Sequence, residues 1–154
     1  MITDAIKQSA QDAVFDFLSG ELPAFEEMGD TNLYQRQSTE TFRHPSVLVA
    51  CEEAPILQED LGIHEAKVDI YVTSPTLDMA ETGETIDASA EHAARVGLVE
   101  EFLSRRADIH SFINTGPAAI RSLDDPELMD FEGFQSDRHW VDKATLTVYC
   151  QIRP

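Results

Sequence analysis

The chain has 154 residues, 42% hydrophobic and 26% charged, which is enough for one globular domain with its own core. Its net charge of -18, with Lys and Arg scattered, argues against a nucleic-acid-binding face, because affinity for phosphates comes from Lys and Arg. No apolar run approaches the roughly 20 residues of a membrane span, and the first residues lack the basic and apolar regions of a signal peptide, so the expected place of folding is a cytoplasm.

Ile2, Ile6, Ala10, Ala13, Val14, Phe17 and Leu18 recur every three or four residues, which predicts a helix over 2–18 with one buried stripe. Lys7, Gln8, Gln11, Asp12 and Asp16 fall off that stripe, and Gly20 is a stop signal. Residues 21–44 are polar and without a period. They hold either a short strand around 32–37 or an arm that orders on a partner, since so long an irregular segment is unusual in a compact domain.

After Pro45, the run SVLVACEE is apolar on both alternating sides, which predicts a central or doubly covered strand. A second strand, Ala66 to Thr73, turns Ala66, Val68, Ile70 and Val72 inward. Together they read as an antiparallel hairpin whose long tip, Ala54 to Ile63, carries Ile56, Leu57, Leu61 and Ile63. Such a tip either folds over the sheet or meets another subunit. A loop from Ser74 to Ile86 leads to a second helix, Asp87 to Arg106. Its expected buried stripe is Val96, Val99 and Leu103 with Leu98 and Phe102, and Ala88, Ala90, Ala93 and Ala94 allow close packing on a sheet. A short helical turn, broken at Gly116-Pro117, follows within 108–121. Phe131 to Gln135 is a short strand with Gly133 as a kink or bulge.

The last strand, Trp140 to Ile152, has an apolar face of Trp140, Ala144, Leu146, Val148, Cys150 and Ile152, interrupted by Asp142. An inward charge needs a partner; pairing with Arg138 or capping of a loop is expected. The order of elements gives an α+β domain over 1–154, with a mostly antiparallel sheet and an N-terminal and a central helix packed on one face.

Chemistry-bearing patterns are absent. His44, His64, His92, His110 and His139 are dispersed without metal-ligand spacing and read as solvent or interface residues. Glu52-Glu53 and Asp124-Asp125 are adjacent rather than arranged around a pocket. No phosphate loop, dinucleotide fingerprint or nucleophile elbow is present. No catalytic, metal or cofactor residue is therefore expected, and the chain does not read as an enzyme. Cys51 and Cys150 read as buried free thiols, neighbours if their strands pair.

The order of elements resembles the tail-terminator proteins of long-tailed bacteriophages, of the lambda type. The likeness lies in the amphipathic first helix, the Pro-led strand FRHPSVLVA, the strand KVDIYV, the following helix, the stretch FEGF, and a turn into Trp140, Ala144, Leu146 and Tyr149. The 21–44 segment is longer than the family's usual connection. The resemblance implies a virion protein, assembled in the host cytoplasm, that forms a hexameric ring. The ring would cap the tail tube and join it to the head-side connector, with genomic DNA crossing its lumen without specific binding. It implies no cofactor and no membrane. Candidate subunit contacts are Ile56, Leu57, Leu61, Ile63, Leu77 and Met79. The alternatives are a neck, head-completion or minor tail protein and, from another class, a small ligand-binding domain or enzyme.

Overall fold

The computed structural model describes residues 2–21, 23, 25, 31–36, 44–79, 85–87, 89–136 and 138–153. Among them are helices α1 (Ile2–Ser19), α2 (Ser89–Leu103) and α3 (Arg106–Thr115). The strands are β1 (Asn32–Gln35), β2 (Ser46–Glu53), β3 (Ile56–Gln58), β4 (Ile63–Pro75), β5 (Leu77–Met79), β6 (Thr85–Asp87), β7 (Ile120–Ser122), β8 (Glu127–Leu128), β9 (Glu132–Ser136) and β10 (His139–Ile152). The fold is α+β, with a main sheet in the order β1-β2-β4-β10-β7. β3 adds to β4, and β8 and β9 add to β10; β5 and β6 form a separate hairpin. The β1–β2 pair is parallel and the others are antiparallel.

β4 and β10 form the centre. Their register runs from His139 opposite Pro75 to Cys150 opposite His64. Strand alternation then puts Ala66, Val68, Ile70 and Val72 on the same face as Ala144, Leu146, Val148 and Cys150, all buried. Helix α1 covers this face with Ile6, Ala10, Ala13, Val14 and Leu18, and Ile109 and Ile113 of α3 join the same core. No described helix is long and apolar enough to cross a membrane.

The second helix of the sequence reading is α2, and the short helical turn expected within 108–121 is the separate helix α3. Helix α2 ends at Leu103, and α3 starts at Arg106 and runs to Thr115. Arg153 secures the end of that helix. Its guanidinium donates to the carbonyls of Gly116 (3.0 Å), Ile120 (2.9 Å) and Ile113, covering carbonyls that lack intrahelical donors. The short strand expected around 32–37 is β1; the rest of the 21–44 segment lies mostly outside the described residues. The expected loop after β4 contains the β5–β6 hairpin.

Gln11 is the instructive exception on α1. The sequence pattern assigns it to the polar side, yet it is buried. The β1 ladder ends where the Arg36 N–H donates to the Val49 carbonyl (3.2 Å). Two residues further along β2, the Cys51 N–H finds the Gln11 Oε1 at 3.0 Å, just before the register shift between Cys51 and Glu53. The Gln11 amide also donates to Gln35 Oε1 (3.2 Å). One side chain thus finishes the ladder where the strand stops, because a buried N–H left unpaired is costly.

Replacing Gln11 by Leu orphans that N–H and is expected to lower unfolding free energy by about 1–3 kcal/mol. Gln8→Ala, on the exposed side of the same helix, is expected to stay within about 0.5 kcal/mol of the parent. Urea denaturation of the two variants checks the contrast; equal effects would sink the assignment.

Candidate functional site

A buried polar cluster lies at one end of the β4–β10 pair. The buried row of β4 ends in Ser74, and that of β10 continues to Asp142. Helix α2 meets this end with His92 and Arg95, one turn apart and both buried. His92 Nε2 lies 2.7 Å from Asp142 Oδ1, and its Nδ1 lies 2.7 Å from Ser74 Oγ. Arg95 donates through Nη1 to Ser74 Oγ (3.2 Å) and through Nε to Thr31 Oγ1 (3.0 Å). A carboxylate only accepts, so Nε2 carries a proton. In the neutral imidazole, Nδ1 then accepts the Ser74 hydroxyl.

Several expectations are corrected here. Asp142 pairs with His92, not with Arg138, which is exposed and offers its backbone carbonyl to Thr76 (N–H at 2.9 Å). His92 is buried rather than a solvent or interface residue. The first half of α2 faces the sheet with His92 and Arg95, while Ala90, Ala93 and Ala94 are exposed. Val96 and Leu98 of the expected stripe are half-buried, whereas Val99, Phe102 and Leu103 are buried. Gly133 makes no bulge, since β9 and β10 pair in unbroken register with Gly133 opposite Asp142. A Cβ there would lie 2.9 Å from Asp142 Oδ2. The glycine leaves room for the carboxylate to reach His92.

Serine, histidine and aspartate in a row have the composition of a nucleophile, base and orienting acid. The surroundings argue for a different role. Ser74 is completely buried, and its Oγ is engaged by both His92 and Arg95. The cluster ties α2, β4, β9, β10 and the residue before β1 into one unit. Sequence spacing carries no sign of it, because its hydrogen-bonded partners lie 18 to 64 positions apart along the chain.

The hairpin tip is the second candidate. Ile56 and Leu57 are each 53% exposed and Leu61 is 61% exposed, while Ile63 is half-buried. The frame beneath them is fixed. His64 is a second buried histidine, and its Nδ1–H donates to the Ala54 carbonyl at 2.8 Å. The Glu65 N–H donates to the Pro55 carbonyl (2.9 Å), and Gln151 Nε2 donates to the Leu61 carbonyl (2.8 Å). Gly62 supplies the left-handed turn, with φ 63°. Leu77 and Met79, expected to serve the same contacts, lie on β5 beyond the other end of β4. That is about 40 Å of strand away, since each residue adds roughly 3.3 Å. Their side chains lie outside the described residues.

Both cysteines are free and buried, as the sequence reading expects. Their strands do not pair, because β4 stands between β2 and β10. Burial pushes the Cys51 thiol up to about 11, with Asp69 adding to the shift, and pushes Cys150 up to about 12, with Cys51 adding. Neither is a ready nucleophile at neutral pH. His44 and His139 do come together, ring centroids 4.6 Å apart, and burial and then His139 lower the His44 pKa. Among the described residues, no three His, Cys, Asp or Glu side chains converge to hold a metal ion. No protein-family model matches the chain, and no curated protein matches it.

Gly133→Ala forces its methyl against the Asp142 carboxylate. It is expected to cost about 1–3 kcal/mol of stability, as overpacking does, measured by thermal and urea unfolding. A loss no greater than that of an exposed strand substitution would contradict the close-approach role. A second expectation concerns alkaline pH. Both thiol pKa values are raised above the 9.0 of a free thiol. Above that value the unfolded chain loses thiol protons that the folded chain keeps, so the thiols' contribution is full below it and is lost as pH rises through about 11 to 12. The double variant Cys51→Ala/Cys150→Ala is expected to show a shallower decline of stability across that window.

Proposed function

We propose that the chain is a structural protein of a long-tailed bacteriophage virion: a tail terminator whose hexameric ring caps the tail tube and joins it to the head-side connector. The observation that carries this reading is the hairpin tip. Three large aliphatic side chains are held out into solvent on a frame fixed by His64, Gln151 and Gly62. Apolar residues kept exposed on ordered backbone fit a surface that another subunit covers. The resemblance in element order and in the last strand supports the same reading, as does the α+β architecture with its helices on one side of the sheet. Ile56, Leu57 and Leu61 are the proposed contact residues, with Ile63 behind them; Leu77 and Met79 serve a separate contact at the far end of β4.

The flanks of the sheet suit ring assembly too. β1 is one edge, only four residues long, and the outer side of β10 carries the short strands β7, β8 and β9. Short edges resist indiscriminate pairing and leave association to specific contacts. Heterologous contacts that close on themselves give a ring, and a closed ring offers no free site for a further copy. An acidic wall repels phosphate, so DNA would cross the lumen without sticking.

Mass measurement over a range of concentrations tests the assembly. The parent chain is expected to form a six-fold ring, alone or when mixed with tail tubes. Leu61→Asp, at an exposed position, is expected to leave the fold and thermal midpoint nearly unchanged while reducing the ring to single chains. A parent that stays monomeric with tail tubes refutes the reading. Particles assembled without the protein distinguish the roles: overlong tails mark a terminator, and normal-length tails lacking heads mark a neck protein.

A further inference from the structure

A cleft of about 300 Å³ runs between α1 and the end of α3, and none of the hairpin-tip residues lines it. Ala13 and Ile113 form its buried base, and Phe112, Pro117, Ala118 and Ala119 contribute apolar wall. Phe112 is more than one-third exposed and is held by an edge contact with Phe17, ring centroids 5.6 Å apart. One side of the cleft differs in kind. Asp12 and Asp16, one helical turn apart on α1, both line it.

Two carboxylates in that relation repel each other and weaken their own helix. Asp12 accepts a hydrogen bond from Gln8 Nε2 (2.8 Å), whereas the Asp16 side chain has no partner among the described residues. Its carboxyl is raised above the ordinary range, first by burial and then by Asp12. Two of the described cations are committed elsewhere: Lys7 pairs with Asp4 (3.4 Å), and Arg153, which reaches Gly116, places its donors on backbone carbonyls. An apolar slot with an unneutralised anionic side matches a side chain with an apolar stem and a cationic head. A second copy of this chain is a poor source of that head, since it carries only 11 basic residues against 29 acidic ones.

We propose that the α1–α3 cleft docks a basic amphipathic segment of a different protein, with a Leu or similar residue against Phe112, Pro117 and Ala118 and an arginine or lysine head between Asp12 and Asp16. The surface shares no residue with the tip, and binding is expected whether or not the chain forms a ring. The natural occupant is thus a partner protein that is basic where it touches this chain.

The test uses the full chain and a capped peptide of sequence ALRLRA, followed by amide shifts in NMR, beside an analogue carrying citrulline at both arginines. Expected are shifts concentrated at residues 9–16 and 112–119, and binding at least about tenfold weaker for the citrulline peptide, because the charge-assisted contacts are lost. Asp12→Asn/Asp16→Asn is expected to erase that difference; it removes a repulsion, so the helix is not weakened. Ala119→Trp, at an exposed position, is expected to block both peptides. Absence of binding at millimolar peptide overturns the proposal. So do shifts scattered over the acidic surface, equal binding of the two peptides, or a tenfold preference that survives in the double Asn variant.

Discussion

The long antiparallel ladder between β4 and β10 carries the rest of the molecule. β2 and β3 pair to β4, and β7, β8 and β9 pair to β10. The register fixes which side chains face the helices, and a slip of one residue would turn every core residue of a strand outward. The opposite face holds the register in polar terms. Asp69 accepts the Thr145 hydroxyl at 2.8 Å and lies 3.9 Å from Lys143, which sits over the Tyr71 ring. Apolar packing on one side and these cross-strand contacts on the other specify the same pairing.

The two ends of this ladder are finished differently. At one end the buried rows run into Ser74 and Asp142, and α2 supplies His92 and Arg95. Buried polar groups contribute little to net stability, but once some are present each must be satisfied, and together they admit only one arrangement. The cluster therefore sets where α2 sits, a matter that its small and mixed apolar face leaves open. At the other end the row stops at His64, which holds the hairpin tip by its backbone and leaves the tip's aliphatic side chains outside. Both the rigid end and the presented end depend on a buried histidine.

An acidic chain of this charge resists contact with most anionic surfaces. Against that background the places where apolar area remains open are selective. The tip exposes aliphatic residues beside Glu59 and Asp60, and the α1–α3 cleft sets apolar walls beside Asp12 and Asp16. Each combines a short-range attraction with a charge that rejects most partners, which favours specificity over raw affinity.

Much of this architecture was legible in the residues alone. Period-two alternation marked β4 and β10, and a period of three to four marked α1, because a one-sided burial requirement writes itself directly into local spacing; β2 was marked instead by a run apolar on both sides. The α+β class followed from those patterns, whereas the sequence left the hairpin tip either folded over the sheet or presented outward, and the exposure of Ile56, Leu57 and Leu61 was decided by the tertiary structure. The polar cluster did not follow either, since it joins residues from separate elements and each looks unremarkable at home: Ser74 ends a strand, His92 and Arg95 sit on a helix, Gly133 sits in a short strand. Gln11 was read as solvent-facing for the same reason; its burial answers a backbone N–H on β2 that no helix periodicity can foresee. Local spacing reports what a segment must hide from water. Which polar groups are then left without water, and which distant side chain completes them, is decided only when the segments meet.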